Sequence, residues 1–493
     1  MSDITSKSNT QVSAFRNWLS LIGLVVSIGS FFSFVLLFVI DLLAKDPSPY
    51  LGILTFVVTP GFLAFGVFLI LLGWFLQRRR IINNAANAEM PLITIDFSRA
   101  RDRRNLVIFT LCSAVFLLVS AVGSYESYHF AESVAFCGQT CHEPMKPEYT
   151  TYLNSPHARV GCTECHVGPG AVSFVKAKLN GVNQLVGTIR NNFDRPIETP
   201  HNLRPAQETC EQCHWSKKFV GSLDRIYTHY LSDETNTPVT FRLLMNVGGG
   251  DPTHGPVGGI HWHMNIGNTV EYIATNDNKQ SIPWIRMTDA KGTVTEFRTA
   301  EFKDDPSKHK IRKMDCLDCH NRPAHQFRAP QDSVDLAMSM SRIDAGIPLI
   351  KSNLVAILSH TNTTETAAME YIAITLRKLY PNEKRIESVI GEAQQISRNS
   401  IFPEMKADWR SYPDNIGHKT YPGCFRCHDG KHIAADGKRK VGASGCNDCH
   451  IIIAQGAGEE LKKFNSAGFN FAHPDASSEG TDPDCVTCHG ASQ

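Results

Sequence analysis

Residues 136–166 read FCGQTCHEPMKPEYTTYLNSPHARVGCTECH. They hold two cysteine pairs, each followed at once by a histidine. The second pair is C-x-x-C-H (Cys162, Cys165, His166), and the same pattern recurs at Cys210/Cys213/His214, Cys316/Cys319/His320, Cys424/Cys427/His428, Cys446/Cys449/His450 and Cys485/Cys488/His489. The first pair, Cys137 and Cys141 with His142, is spaced by three residues instead of two. Cys112 is the one cysteine of fifteen outside this series. A zinc ribbon needs two cysteine or histidine pairs per ion, but no histidine directly after each second cysteine. With 20 histidines in 493 residues, six such coincidences have a chance of about 10⁻⁸. The order is the attachment signature of c-type haem: two thiols bond the porphyrin and the next imidazole lies under the iron. Seven covalent haems are therefore expected, the stretched motif keeping the cysteine–histidine adjacency that one porphyrin requires.

Such haem is attached outside the cytoplasm, and the N-terminal third is compatible with that. Three mostly uncharged apolar runs, 18–44, 51–77 and 105–125, are each long enough as a helix to cross about 30 Å of hydrocarbon. The first is too long for a signal-peptide core and reads as a retained anchor. Seven arginines (Arg78, Arg79, Arg80, Arg99, Arg101, Arg103, Arg104) separate the second run from the third, whereas Lys45 is the lone basic residue between the first and second. Positive loops stay in the cytoplasm, so the N-terminus is expected inside and everything after about residue 125 in the periplasm.

The net charge of +1 hides a division: residues 1–124 carry ten basic against six acidic groups, which leaves the remainder at −3. A haem-loaded, acidic outer part argues against nucleic acid and suits partners with basic patches.

The fold class expected is a mainly α membrane multihaem cytochrome c, with three transmembrane helices and a haem-packed periplasmic region carrying a small β-meander insertion. The segments are a three-helix anchor (1–125), a region of haems 1–3 (126–230), the meander insertion with haem 4 (231–330), a haem-free helical spacer (331–410) and haems 5–7 (411–493). Alternating β-branched and aromatic residues place the meander at about 235–305. Helical periodicity with Thr and Asp at cap positions marks the spacer.

Thirteen histidines lie outside the motifs, enough to give most irons a second axial ligand. The best placed are His157, His263, His325, His418, His432 and His473, with His201, His229, His254, His261 and His360 in reserve. An iron with both axial positions filled suits electron transfer rather than substrate chemistry.

The block 136–170 followed by LRPAQETCEQCHW resembles the NapC/NirT family of membrane-anchored quinol dehydrogenases. With the downstream HWH, CLDCHNRPAH and GCFRCHDGKH blocks, it resembles more narrowly the seven-haem inner-membrane cytochromes of metal-reducing bacteria, the ImcH type. The resemblance implies that menaquinol reduces the first haem at the membrane surface. Electrons would then pass to periplasmic multihaem c-type cytochromes and on toward extracellular acceptors. It also implies that a methionine after the motif can bind the first iron. Met145 would be that ligand, although one extra residue between the cysteines and one before the methionine leave His142 and Met145 as alternatives. Lys176 and Lys178 fall where the family supplies a lysine ligand or a quinol-site residue. Cys137 follows the third apolar run by about a dozen residues, which puts the first haem near the interface. Glu126 and His129 are candidate acceptors for the quinol protons. The competing readings are a terminal reductase of a small oxyanion and the membrane subunit of a periplasmic reductase complex.

Overall fold

The computed structural model describes residues 17–43, 58–83, 97–140, 142–167, 177, 180–181, 184, 186–198, 204–215, 218–249, 258–264, 267–442, 446–474 and 485–490. The chain forms two units, residues 1–133 with 167–184, and residues 134–166 with 185–493.

In the first unit, α1 (Trp18–Leu43) and α2 (Thr59–Asn83) form an antiparallel hairpin. Small residues allow the two backbones to approach, as in membrane helix pairs. A Cβ on Gly23 would lie 2.6 Å from the Gly66 carbonyl oxygen, and one on Gly73 2.5 Å from Ser20 Oγ. Ser20 Oγ donates to the Ile70 carbonyl at 3.2 Å, and Ser30 Oγ donates to that of Thr59. Phe31, Phe32, Phe62, Phe65 and Phe68 point outward, an arrangement that lipid satisfies and water does not. Among the described residues, α1 and α2 are the two helices long and apolar enough to cross a membrane. The third expected run lies inside α3 (Ala100–Glu132), a helix of 33 residues, or about 50 Å. It does not stop at residue 125: Glu126 and His129 stand on its last two turns, both exposed.

The second unit opens with a π-helical turn at Phe136–Thr140 and α4 (His142–Leu153). Two antiparallel sheets follow. One joins β1 (Leu223–Tyr230), β2 (Pro238–Met245) and a late strand; the other contains β3 (Thr269–Ile273), β4 (Trp284–Thr288), β5 (Val294–Arg298), β6 (Ile311–Lys313) and another late strand. Four helices come next: α5 (Pro330–Ser339), α6 (Ile350–Ser359), α7 (Glu365–Leu379) and α8 (Ile386–Ser400). The late strands are β7 (Ile433–Ala434), paired with β5, and β8 (His450–Gly456), paired with β2. The single meander expected at 235–305 is thus two sheets, each completed by a strand from the last 70 residues. Sequence alternation marks strands but not their partners, and pairing over about 200 residues is invisible to it.

The helical spacer forms as expected and carries the largest apolar core. Val334, Ile347, Ile350, Leu354, Leu376 and Ala393 are fully buried in it. Pro330 opens α5 at a first-turn position that needs no N–H, and Thr364 Oγ1 caps α7 by accepting from Ala367 N at 3.1 Å. Asn236, fully buried with φ +49° in the β1–β2 turn, locks that hairpin to the helices. Its Nδ2 donates to the carbonyls of Ala345 and Ile347 at 2.9 and 2.8 Å, and its Oδ1 accepts from Lys351 N.

Candidate haem sites

Each C-x-x-C-H motif is a short helical turn. His214, His320, His428 and His489 donate their backbone N–H to the carbonyl of the first cysteine of their own motif at 2.8, 2.8, 3.0 and 2.8 Å. Positions i and i+4 share a helix face, so the turn sets the imidazole on the same side as the first thiol.

The attachment cysteines are not core residues of the polypeptide. At the second position of the motif, Cys165, Cys213 and Cys488 are exposed, and Cys319, Cys427 and Cys449 are half-buried. At the first position, Cys424 is exposed, and Cys162, Cys210, Cys316 and Cys485 are half-buried; the side chain of Cys446 lies outside the described residues. The physical reason is the turn itself. It is too short to bury a side chain against its own backbone, so the thiols of Cys165, Cys213 and Cys488 face outward from the polypeptide. A purely structural cysteine would be among the most buried residues. A sulfur that must bond a porphyrin instead has to project from the chain, and these positions suit that chemistry.

The stretched motif forms a different turn, a π-helical one at Phe136–Thr140, whose i→i+5 register is one residue longer than the α-helical one. Cys137 is half-buried there; Cys141 and the side chain of His142 lie outside the described residues. Met145 is half-buried on α4, three residues after His142 and therefore on its face. Gly138 is buried in the turn against the Tyr149 ring, and a Cβ there would lie 2.1 Å from Tyr149 Cδ2. Gly138→Ala is accordingly expected to yield a chain with one haem fewer by intact-mass measurement, the other sites staying loaded.

The histidines outside the motifs do not scatter. Six of them stand opposite the six regular motif histidines. The ring centres are 6.2 Å apart for His166 and His325, 6.1 Å for His214 and His157, and 6.3 Å for His320 and His261. They are 5.9 Å apart for His428 and His263, 6.3 Å for His450 and His418, and 6.2 Å for His489 and His473. Two imidazoles bound on opposite faces of one metal, each with a metal–nitrogen bond of about 2 Å, have ring centres about 6.3 Å apart. The residues therefore fit six irons, each between two histidines.

Hydrogen bonding supports the fit. A ligating histidine ordinarily donates its other ring N–H to a carbonyl or carboxylate. Nδ1 faces the carbonyl of Pro323 at 3.2 Å in His157, of Val247 at 2.7 Å in His261, and of Ile260 at 2.9 Å in His263. In His325 it faces the Glu148 carbonyl at 2.9 Å and that residue's carboxylate at 3.2 Å. In each case this leaves Nε2 for the metal. Burial, and next the facing imidazole, hold His166, His320, His428 and His450 below the usual imidazole pKa, in the neutral form that binds metal.

One candidate ligand is corrected. His432 is buried, with Nδ1 2.8 Å from Asp429 Oδ1 and Nε2 2.6 Å from the Ile282 carbonyl. Both nitrogens are engaged, so it braces a loop and has none free for iron. The reserve residue His261 stands opposite a motif histidine, His320, instead. The signal was present in the sequence: His261 and His263 share one 3₁₀ turn, Ile260–Met264, and side chains two apart point different ways, toward different motifs. His229 pairs with Asp335 at 3.0 Å and His360 stacks on Tyr371. His201, His254, Lys176 and Lys178 lie outside the described residues.

Comparisons with known proteins place the chain in a family. Residues 99–219 match the NapC/NirT cytochrome c family, N-terminal region. The chain is 36% identical over 489 residues to the cytochrome c-type protein ImcH of Geobacter sulfurreducens, covering 96% of this chain and 95% of that one. The chain belongs to the NapC/NirT cytochrome c family, in its ImcH type. No solved structure matches it. This ImcH-type cytochrome is a membrane-associated multihaem electron-transfer protein, and its family region begins at Arg99, immediately before α3. The hairpin of α1 and α2 precedes that region.

Proposed function

We propose that this ImcH-type cytochrome is an inner-membrane menaquinol dehydrogenase. It would deliver electrons through seven covalently bound haem c groups to periplasmic multihaem cytochromes. The observation that carries this reading is the set of six facing histidine pairs, which leaves six irons without a position for substrate. Bound haem c supplies a one-electron iron couple; the chain's residues space, ligate and tune it. Oxidation of one quinol to quinone releases two electrons and two protons. Cys137 and Cys141 hold the first group, with His142 or Met145 as its ligand. The cysteine pairs ending in Cys165, Cys213, Cys319, Cys427, Cys449 and Cys488 hold the other six. Cys137 lies five residues beyond α3, at most about 18 Å of chain, which keeps the first group within reach of the helix end. Glu126 and His129 on the last turns of α3 are the proton acceptors, and Lys176 and Lys178 are further residues of the quinol side.

In this reading α1, α2 and α3 all cross the membrane. The arginines at the end of α2 and the start of α3 face the cytoplasm, and the haem region faces the periplasm. Alkaline phosphatase fused after residue 490 should then be active, and fused at residue 90 inactive.

A terminal reductase needs an iron open to its substrate. Carbon monoxide titration of the dithionite-reduced protein separates the two readings. Binding of no more than one molecule per chain, at the stretched motif, is expected; two or more would contradict the wire and favour the reductase.

A further inference from the structure

We infer that the seven haem sites stand in single file in the order of the chain, with the Cys485–His489 site as the far end. The links are this chain's own residues, each of which joins one site to the next. Between the first and second sites, Glu148 on α4, the helix that His142 opens, accepts through its carbonyl from His325 Nδ1 at 2.9 Å, and His325 faces His166. The second and third meet through His157, just before the second motif, which faces His214, and through Arg204, whose Nη1 donates to the Glu164 carbonyl inside CTECH at 3.5 Å. The third and fourth meet where Ala206 N donates to Asp315 Oδ2, beside Cys316, at 3.4 Å.

The fourth and fifth sites are latched through the variable residues of their own motifs. Arg426, inside CFRCH and buried, donates Nη2 to the carbonyl of Asp318, inside CLDCH, at 2.7 Å. The turn Ile260–Met264 serves both sites, offering His261 to His320 and His263 to His428. The fifth and sixth meet at His418, which stacks on Phe425 of the fifth motif at 4.6 Å while facing His450 of the sixth. The same imidazole reaches the seventh: its Nδ1 is 3.9 Å from Cys485 Sγ.

One segment departs from strict succession. Residues 320–325 serve the fourth site with His320 and the second with His325, so the second and fourth sites are tied as well. Asn246 also joins the sixth motif to the turn Ile260–Met264: its N–H donates to the Cys449 carbonyl and its own carbonyl accepts from Ile260 N, both at 2.8 Å. The fifth site, joined to the fourth by Arg426 and to the sixth by His418, is the place to cut the file.

The inference deepens the proposed function and rests on it for the direction of flow, but not for the arrangement. Cryo-electron microscopy of the haem-loaded full chain in detergent tests the arrangement without any donor. Consecutive sites should be nearest neighbours, and a sixth or seventh haem in contact with any of the first three would overturn the inference. Flow is tested with the double variant C424S/C427S, which removes the fifth haem, beside the parent chain. Reduced naphthoquinol should rapidly reduce four of its six remaining haems, whereas dithionite reduces all six. Should that variant not mature, His263→Met keeps the haem attached and changes one ligand; the sixth and seventh haems should then be reduced at least tenfold more slowly. Reduction of the last two at the parental rate in either variant would overturn the single file. A parent chain that quinol fails to reduce would count against the dehydrogenase reading alone.

Discussion

Replacing His325 by alanine is expected to turn one low-spin haem into a high-spin, carbon monoxide-binding one. His325 faces His166 at 6.2 Å, and Arg322 and Glu148 hold it there. Removing the imidazole leaves that iron with one axial protein ligand, and electron paramagnetic resonance reads the change directly. His432→Ala is the control, because both of its ring nitrogens are taken, by Asp429 and by the Ile282 carbonyl. It should leave every haem spectrum unchanged. It should nevertheless cost about 1–3 kcal/mol of stability, since it strands the carbonyl of the buried Ile282. A new carbon monoxide-binding haem in His432→Ala would overturn the assignment of both residues.

The second large effect is expected at Arg426. Its guanidinium donates from Nε to the Gly423 carbonyl at 2.8 Å, from Nη1 to that of Lys279 at 2.9 Å, and from Nη2 to that of Asp318 at 2.7 Å. Asp318 is itself buried and holds the Tyr272 hydroxyl at 2.5 Å and Lys279 Nζ at 2.7 Å. Arg426→Met keeps most of the volume but takes the guanidinium from all three carbonyls, of which that of Asp318 keeps Asn415 Nδ2 at 3.0 Å and the other two lose this donor outright. At roughly 1–3 kcal/mol for each buried acceptor left unpaired, a loss of about 4 kcal/mol is expected in chemical denaturation of the loaded protein. The fourth and fifth haems should be the ones whose spectra shift. A stability within about 1 kcal/mol of the parent would show that the latch between the two motifs is unimportant.

What the sequence disclosed follows a physical boundary. Haem attachment was legible because the bond-forming atoms lie within five residues and a single helical turn aligns them. The apolar hairpin and the helical spacer were legible because period and length are local properties. The facing histidines were legible as a population but not as pairs. His325 meets His166 and His263 meets His428 across more than 150 residues, and no local pattern encodes that. His432 misled for the same reason: its nearness to the Cys424–His428 motif in sequence resembles that of a ligand. Its partner Ile282 lies 150 residues away. The two sheets show the limit again, since β7 and β8 complete strands that precede them by well over 100 residues. At the stretched motif, by contrast, the extra residue was visible from the start. Not visible there was the π-helical turn at Phe136–Thr140, whose register is one residue longer.

The most direct measurement of the central claim mixes the oxidised, detergent-purified full chain with reduced naphthoquinol and follows the haem α-band, beside a Met145→Ala variant. Rapid reduction of most haems is expected in the parent chain and at least a tenfold slower reduction in the variant, with dithionite reducing both fully. A parent chain that dithionite reduces but quinol does not would contradict quinol entry and require a different electron donor.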